Sequence, residues 1–199
     1  MLDKTPAEVA DLAASCVRFV NEALGLTLDY TPDTLPILDH HLREGGRLAK
    51  AEIKELLAPA AGAYFGEVVR RAMQGVRWHS PDGDYPGHRL EFEAFFLCFN
   101  PMGVAMEVLI MAEAVGWGAH FQVLDEAREL LARALEANEG VPPEDYYTLS
   151  VRFETLELIA DLLGALESRQ PKPRHFGPDV YRAASGDPLG PGTGPSSAN

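Results

Sequence analysis

The segment VRWHSPDGDYPGHRLEFEAFFLCF, residues 76–99, decides the fold class. Residues 76–79 and 89–99 have the composition of β-strands, and the second run alternates apolar with polar side chains before becoming apolar throughout. The residues between the two runs are rich in proline, glycine and aspartate, which favour turns. Two strands joined by so short a loop predict an antiparallel pair.

Helical periodicity dominates the rest of the chain. Asn100-Pro101 provides an N-cap and a first-turn proline for one helix. Gly45-Gly46 is expected to end a short second helix. Residues 26–30 alternate apolar and polar side chains, which predicts a further strand. Apolar residues recur at helical spacing over residues 9–24, 48–73, 102–114, 121–135 and 149–166.

The predicted order of elements is helix, strand, two helices, two strands and three helices. Because the strands are few, we expect an α+β fold that is mainly helical, with a small antiparallel sheet packed against helices. The length of 199 residues fits one domain, which we place at residues 1–170. Proline, glycine and serine dominate from residue 171, so residues 171–199 are predicted to form a disordered tail.

Two glycines lie four residues apart inside the predicted helix 48–73. Glycine in a helix interior costs about 1 kcal/mol relative to alanine. Gly62 and Gly66 fall on one side of that helix, so we expect another element to pack very closely there.

The chain is strongly acidic. It contains 30 acidic and 17 basic residues, which give a formal net charge of −13. Three of the basic and two of the acidic residues lie beyond residue 170, so the acidity belongs to the predicted domain. A surface of this sign repels nucleic acid and anionic membranes and attracts a basic protein. Solubility alone is the alternative explanation of the charge.

The apolar patterns predict a cytoplasmic protein. The first residues contain no apolar run of the kind found in secretory signals. The longest strongly apolar stretch, residues 104–115, contains Glu107 and Glu113 and is too short to cross a bilayer. Cys16 and Cys98 lie in apolar patterns, which indicates buried thiols.

The polar residues predict no catalytic group, no cofactor and no metal site. Asp39-His40-His41 would be the first candidate for a metal site, but neighbouring helical residues point about 100° apart, so both histidines cannot easily face one ion. Glu67 precedes Arg70 and Arg71 by three and four residues, a spacing typical of a structural ion pair.

Three segments carry a resemblance: LDYTPDTLPILD at residues 28–39, GAYFGEVV at residues 62–69 leading to GVRW at 75–78, and FNP at 99–101. Together they resemble a diffuse group of uncharacterised bacterial cytoplasmic α+β domains, some encoded near toxin, immunity or secretion genes. The resemblance spans roughly residues 8 to 110. It implies that the GAY-x-GE helix is a packing element and assigns no catalytic residue.

The leading functional hypothesis is a non-enzymatic, acidic protein-interaction domain that binds a basic partner, with an inhibitor or immunity-type protein as one form. Tryptophan and tyrosine are enriched at interface hot spots. The candidate interface residues are Trp78, Trp117 and Tyr85.

Two alternatives stay open. The first is a structural subunit tethered by its C-terminal tail. The second is a hydrolase-type enzyme, which requires four separated side chains to meet in one cleft within the range of direct charge coupling. Those side chains are Asp39, His40, Glu67 and His79.

Overall fold

A computed structural model describes residues 4–81, 83–135 and 142–185. Helices begin and end this part of the chain, and the strands lie between them. The helices are α1 (Ala7–Leu24), α2 (Leu35–Leu48), α3 (Ala51–Ala72), α4 (Pro101–Ile110), α5 (Asp125–Leu135), α6 (Pro143–Tyr146), α7 (Leu149–Glu167) and α8 (Pro178–Ser185). The strands are β1 (Val76–His79), β2 (Arg89–Phe92), β3 (Leu97–Phe99) and β4 (Gln122–Val123).

The four strands of the described residues form one antiparallel sheet in the order β1-β2-β3-β4. Trp78 of β1 lies opposite Leu90 of β2, and Leu90 lies opposite Phe99 of β3. The predicted pairing of β1 with β2 is therefore confirmed. The mainly helical α+β class with a small antiparallel sheet is confirmed as well.

Helix α3 occupies the centre of the molecule. Every residue from Ala58 to Val69 is buried, and the helix packs against both α1 and α4. A methyl group built on Gly62 would lie 2.2 Å from the Cα of Met102, the second residue of α4. One built on Gly66 would lie 2.2 Å from the ring of Trp78. The predicted close packing at both glycines is confirmed.

The strand predicted at residues 26–30 is wrong. This segment is a loop between α1 and α2 that pairs with no strand of the described sheet. The carboxylate of Asp29 accepts hydrogen bonds from the backbone N–H and hydroxyl of Thr31 and from the hydroxyl of Thr34. Tyr30 adopts a left-handed φ of 64°. Local side-chain bonds of this kind form a turn in place of a ladder.

Two further boundaries differ from the prediction. The run at residues 89–99 is two strands, because the chain turns back after Phe92 and β3 then pairs with β2. Helix α2 continues through Gly45-Gly46 to Leu48. Gly46 lies inside the helix where α2 contacts α4 closely. A methyl group on Gly46 would lie 2.8 Å from the carbonyl oxygen of Leu109 on α4.

The predicted tail is wrong for residues 171–185. Helix α8 lies in this segment, and its Tyr181 is fully buried. Phe176 is also buried, and its carbonyl oxygen accepts a hydrogen bond from Arg77 of β1. These contacts attach the segment to the sheet. The rest of the predicted tail, residues 186–199, lies outside the described residues.

Alanine at Gly62 is expected to destabilise the protein by about 1–3 kcal/mol, because backbone atoms of α4 cannot move away from the added methyl group as a flexible side chain would. Urea unfolding followed by circular dichroism measures this loss. The matched control is Gly45→Ala, since no atom lies within 4 Å of a methyl group at that helical glycine. Equal stabilities of the two variants would contradict the close contact between α3 and α4.

Phenylalanine at Tyr181 is expected to cost about 1–3 kcal/mol, because buried backbone groups lose their partner. The hydroxyl donates to the carbonyl oxygen of Phe92 at 2.6 Å and accepts from the N–H groups of Phe92 and Leu97. Tyr146→Phe is the control, since the Tyr146 hydroxyl is exposed and forms no hydrogen bond within the described residues. If Y181F and Y146F unfold at the same urea concentration, α8 does not stabilise the sheet.

Candidate functional site

Glu67 is a buried carboxylate at the junction of α1, α3 and β1. Its side chain is 4% exposed, and it accepts a two-pronged pair of hydrogen bonds from Arg70 at 2.8 and 2.9 Å. The indole N–H of Trp78 donates to it at 2.9 Å, and the hydroxyl of Thr5 donates at 3.1 Å. All of its partners are therefore structural groups of the same chain.

These bonds keep Glu67 ionised. Burial by itself would raise the pKa of this carboxyl, but hydrogen bonds from Arg70 and Trp78 and the charge of Arg70 outweigh the effect of burial. The pKa of Glu67 consequently lies below its ordinary value. A carboxylate that stays ionised and whose two oxygens both accept hydrogen bonds is suited to holding helices and strands together.

Trp78, a predicted interface residue, is half-buried at the same junction. Its ring fills the space left by Gly66, and its N–H is used by Glu67. Those contacts hold β1 against α3. They leave part of the ring at the surface.

The other two predicted interface residues are also half-buried at the edge of the core. Trp117 packs against α4, where a methyl group on Gly103 would lie 2.5 Å from the Trp117 carbonyl oxygen. Burial and the charge of Glu8 on α1 raise the pKa of Tyr85, and the Tyr85 carbonyl oxygen accepts from Asn100. Whether these three aromatic residues contact a partner stays a prediction.

Asp39 of α2 caps the start of α7. Its two oxygens accept hydrogen bonds from the backbone N–H groups of Leu149 and Ser150 at 2.7 and 3.0 Å and from the Ser150 hydroxyl at 2.6 Å. Burial raises the pKa of Asp39, and the bonds from Ser150 and Leu149 act in the opposite direction. The carboxylate thus performs, from a distant part of the chain, the task of an N-cap residue.

The two candidate histidines of the hydrolase hypothesis have different surroundings. His40 is exposed on α2, whereas His79 is half-buried at the end of β1 opposite Arg89. Asp39 and Glu67 share no hydrogen-bond partner. No group of three or more histidine, cysteine, aspartate or glutamate side chains within residues 4–81, 83–135 and 142–185 is arranged to hold a metal ion.

Two buried charge pairs were not foreseen from the sequence. Arg152 of α7 donates to Glu107 of α4 at 2.6 Å, and both side chains are almost fully buried. Arg77 of β1 donates to Glu91 of β2 at 2.9 Å. The pattern around Glu107 indicated a buried helix, but its partner lies 45 residues away and no local signal identifies it.

A groove with a volume of about 940 Å³ lies between α2, the end of α4 and the start of α7. Asp39 and His40, which are neighbours in sequence, line it, whereas Glu67 and His79 are not among its lining residues. The groove wall on the α4 side is apolar. Arg43, which no sequence pattern singled out, also lines the groove.

The outer face of α7 carries a row of carboxylates. Glu154, Glu157 and Asp161 are exposed at spacings of three and four residues, and Leu158 between them is 42% exposed. None of the three has a basic side chain within ion-pairing distance in the described part of the chain. We refer to these four residues as the α7 acidic face.

Helix α5 provides a contrast to the α7 acidic face. Each of its three acidic side chains has a basic partner. The pairs are Asp125 with Arg128, Glu129 with Arg133, and Glu126 with Arg174.

Alanine at Asp39 is expected to destabilise the protein by about 0.5–2 kcal/mol, as loss of an N-cap does, because two N–H groups at the start of α7 lose their acceptor. Ser150→Ala is the control, since it removes one bond to Asp39 and leaves both backbone bonds in place. Urea unfolding of the two variants measures the difference. A D39A protein as stable as the S150A protein would show that the interaction does not hold α7 in place.

Comparison with known proteins relates the first half of the chain to one family. The model of a family of unknown function (DUF6278) matches residues 1–92, which include α1, α2, α3, β1 and β2. This match agrees with the resemblance to uncharacterised domains. No helix among the described residues has the length and apolar character required to traverse a membrane. No curated protein and no solved structure matches the chain significantly.

Proposed function

We propose that the chain is a non-enzymatic protein-interaction domain of the bacterial cytoplasm, and that the α7 acidic face docks a basic protein. An inhibitor or immunity-type protein is the form of this function that the sequence resemblance favours. The proposal rests on the row formed by Glu154, Glu157 and Asp161, which has no basic ion-pair partner among the described residues.

Charge compensation on α5 gives a contrast to this row. The acidic side chains of α5 are all paired, so a partner gains little from them. On α7, Arg152 is the basic residue within the helix, and it is buried against Glu107 on the opposite side. Unpaired surface carboxylates of one sign steer a cationic protein toward that face and accelerate its association.

Leu158 gives the face an apolar centre. A protein interface typically has an apolar core surrounded by polar residues. Leu158 is exposed, and carboxylates lie one helical turn before it and one turn after it. This part of α7 therefore has an apolar centre with a polar surround. A basic partner with an apolar contact residue would fit it.

The buried carboxylates support the non-enzymatic part of the proposal. Catalytic acids and bases need a free oxygen or proton directed at a substrate. Glu67 has its oxygens bound by Arg70, Trp78 and Thr5, and Asp39 has its oxygens bound by the start of α7. Both carboxylates are used by the fold.

The test is capture of a partner from extract of the native cell by the immobilised full chain. We expect a basic protein to be retained at low ionic strength and released at high ionic strength, because salt screens exposed charges. The double variant Glu157→Gln/Asp161→Asn is expected to weaken the binding of the purified partner by roughly fivefold or more, measured by calorimetry.

Glu52→Gln/Glu55→Gln is the matched control. It removes the same charge from two exposed acidic residues of α3, away from the α7 acidic face. Recovery of no specific basic protein would contradict the proposal. Equal weakening by the two double variants would also contradict it, because binding would then follow net charge and not the α7 acidic face.

A further inference from the structure

Arg43 differs from the other sheltered arginines of the described chain. Six further arginines are buried or partly buried, and each has a carboxylate within 4 Å. Arg43 is partly buried on α2 and has no carboxylate at that distance among the described residues. A sheltered guanidinium without a counter-ion is costly, because desolvation of a charge is repaid by pairing.

The Nε atom of Arg43 is fully buried and has no hydrogen-bond acceptor in the described structure. A buried donor without an acceptor costs about 1–3 kcal/mol. Asp39, one helical turn earlier, interacts with Arg43 through its charge, but its oxygens are directed at the start of α7. Asp39 therefore does not supply the missing acceptor, and no other described residue does.

Charged side chains of both signs line the same groove, and its acidic residues are Asp39, Glu44 and Asp145. Lys54 at the start of α3 lines it and has no ion-pair partner within the described residues. His40 lines it from α2 and is exposed. Arg47 also lines it, but it is 78% exposed and contacts Glu44 at 3.7 Å. An anion bound at Arg43 would thus share the groove with the ammonium group of Lys54.

The opposite wall of the groove is apolar. It consists of the end of α4, from Val108 to Met111, together with Val151 of α7. The close contact between Gly46 and Leu109 holds this wall against α2. A volume of about 940 Å³ is in the range of small-molecule sites, which combine apolar walls with a few polar groups.

We propose that this groove binds a small organic anion, with its oxyanion head at Arg43 and its apolar body along the α4 wall. Arginine binds carboxylate and phosphate heads through two parallel hydrogen bonds. The groove is a second site, since its lining residues include none of the four residues of the α7 acidic face that is proposed to dock a basic protein. Its occupancy does not depend on the proposed protein partner.

The test is a titration of the ¹⁵N-labelled full chain with octanoate, octyl phosphate and 1-octanol, followed by NMR. The three probes share one apolar chain, and the first two carry an oxyanion head. We expect at least one of the two anions to shift the Arg43 Nε–H signal and the amide signals of residues 108–111. That anion should bind roughly tenfold or more tightly than the alcohol, and less tightly as salt increases.

Arg43→Gln is expected to weaken binding of the anion roughly tenfold, a loss typical of a charge-assisted hydrogen bond. Arg169→Gln is the control, because Arg169 is an exposed arginine outside the groove. Should R43Q fold poorly, which its amide spectrum reveals, Lys54→Gln replaces it with the same expected direction.

Three results would overturn the proposal. The first is that neither anion shifts the groove signals. The second is that octanol binds as tightly as the anions. The third is that the groove variant and R169Q bind the anion equally well.

Discussion

The rest of the structure depends on the buried junction of Gly66, Glu67 and Trp78. Gly66 leaves the space into which the indole ring packs, and Glu67 binds the indole N–H. A carboxylate removed from water costs several kcal/mol unless donors surround it, and here Arg70, Trp78 and Thr5 do so. The junction therefore fixes the first strand to the central helix, and β2, β3 and β4 follow from β1 by pairing.

The other buried charges must be paired as well, because a charge removed from water is costly without a partner. Arg77 is held by Glu91, and Arg152 by Glu107, so each buried cation has its anion inside the fold. Charges that depart from this rule are then informative. Arg43 in the groove departs from this rule, because its Nε atom has no acceptor among the described residues. The α7 carboxylates are exposed charges without a basic partner in the same part of the chain, and the two proposals about binding rest on these features.

The two proposed binding surfaces follow from the same electrostatic principle, applied to charges of opposite sign. A sheltered cation beside an apolar wall suits a small amphiphilic anion, because desolvation strengthens its attraction. Exposed carboxylates on a helix suit a large cationic surface, because they act at long range and in number. An acidic chain can thus contain a groove in which one arginine lacks a carboxylate partner among the described residues.

Local patterns predicted the elements whose causes are local. The β1–β2 pair followed from alternation and a loop of turn residues, and the α4 start followed from Asn100, whose side chain accepts from the Met102 N–H. Close packing at Gly62 and Gly66 followed from the cost of glycine in a helix. These features need no knowledge of distant residues.

Features that depend on distant partners could not be predicted. The loop at 26–30 has a strand-like pattern, but Asp29 closes a turn and no strand lies alongside. Helix α8 is short, and Tyr181 is buried because it meets backbone groups more than 80 residues earlier. Asp39 was considered for chemistry, yet its role depends on α7, 110 residues later. No sequence pattern identifies Arg43, because the lack of an acceptor for its Nε–H is visible only in the three-dimensional structure.

The most direct test of the central junction is the pKa of Glu67, measured from its side-chain carboxyl ¹³C shift as a function of pH. We expect a value below the ordinary glutamate value of about 4.3, because the surrounding donors favour the ionised form. A lowered pKa means that Glu67 contributes stability above the unfolded-state pKa and loses it as the pH falls through the folded-state pKa. A measured pKa at or above the ordinary value would show that the donors at this junction do not offset the burial of Glu67.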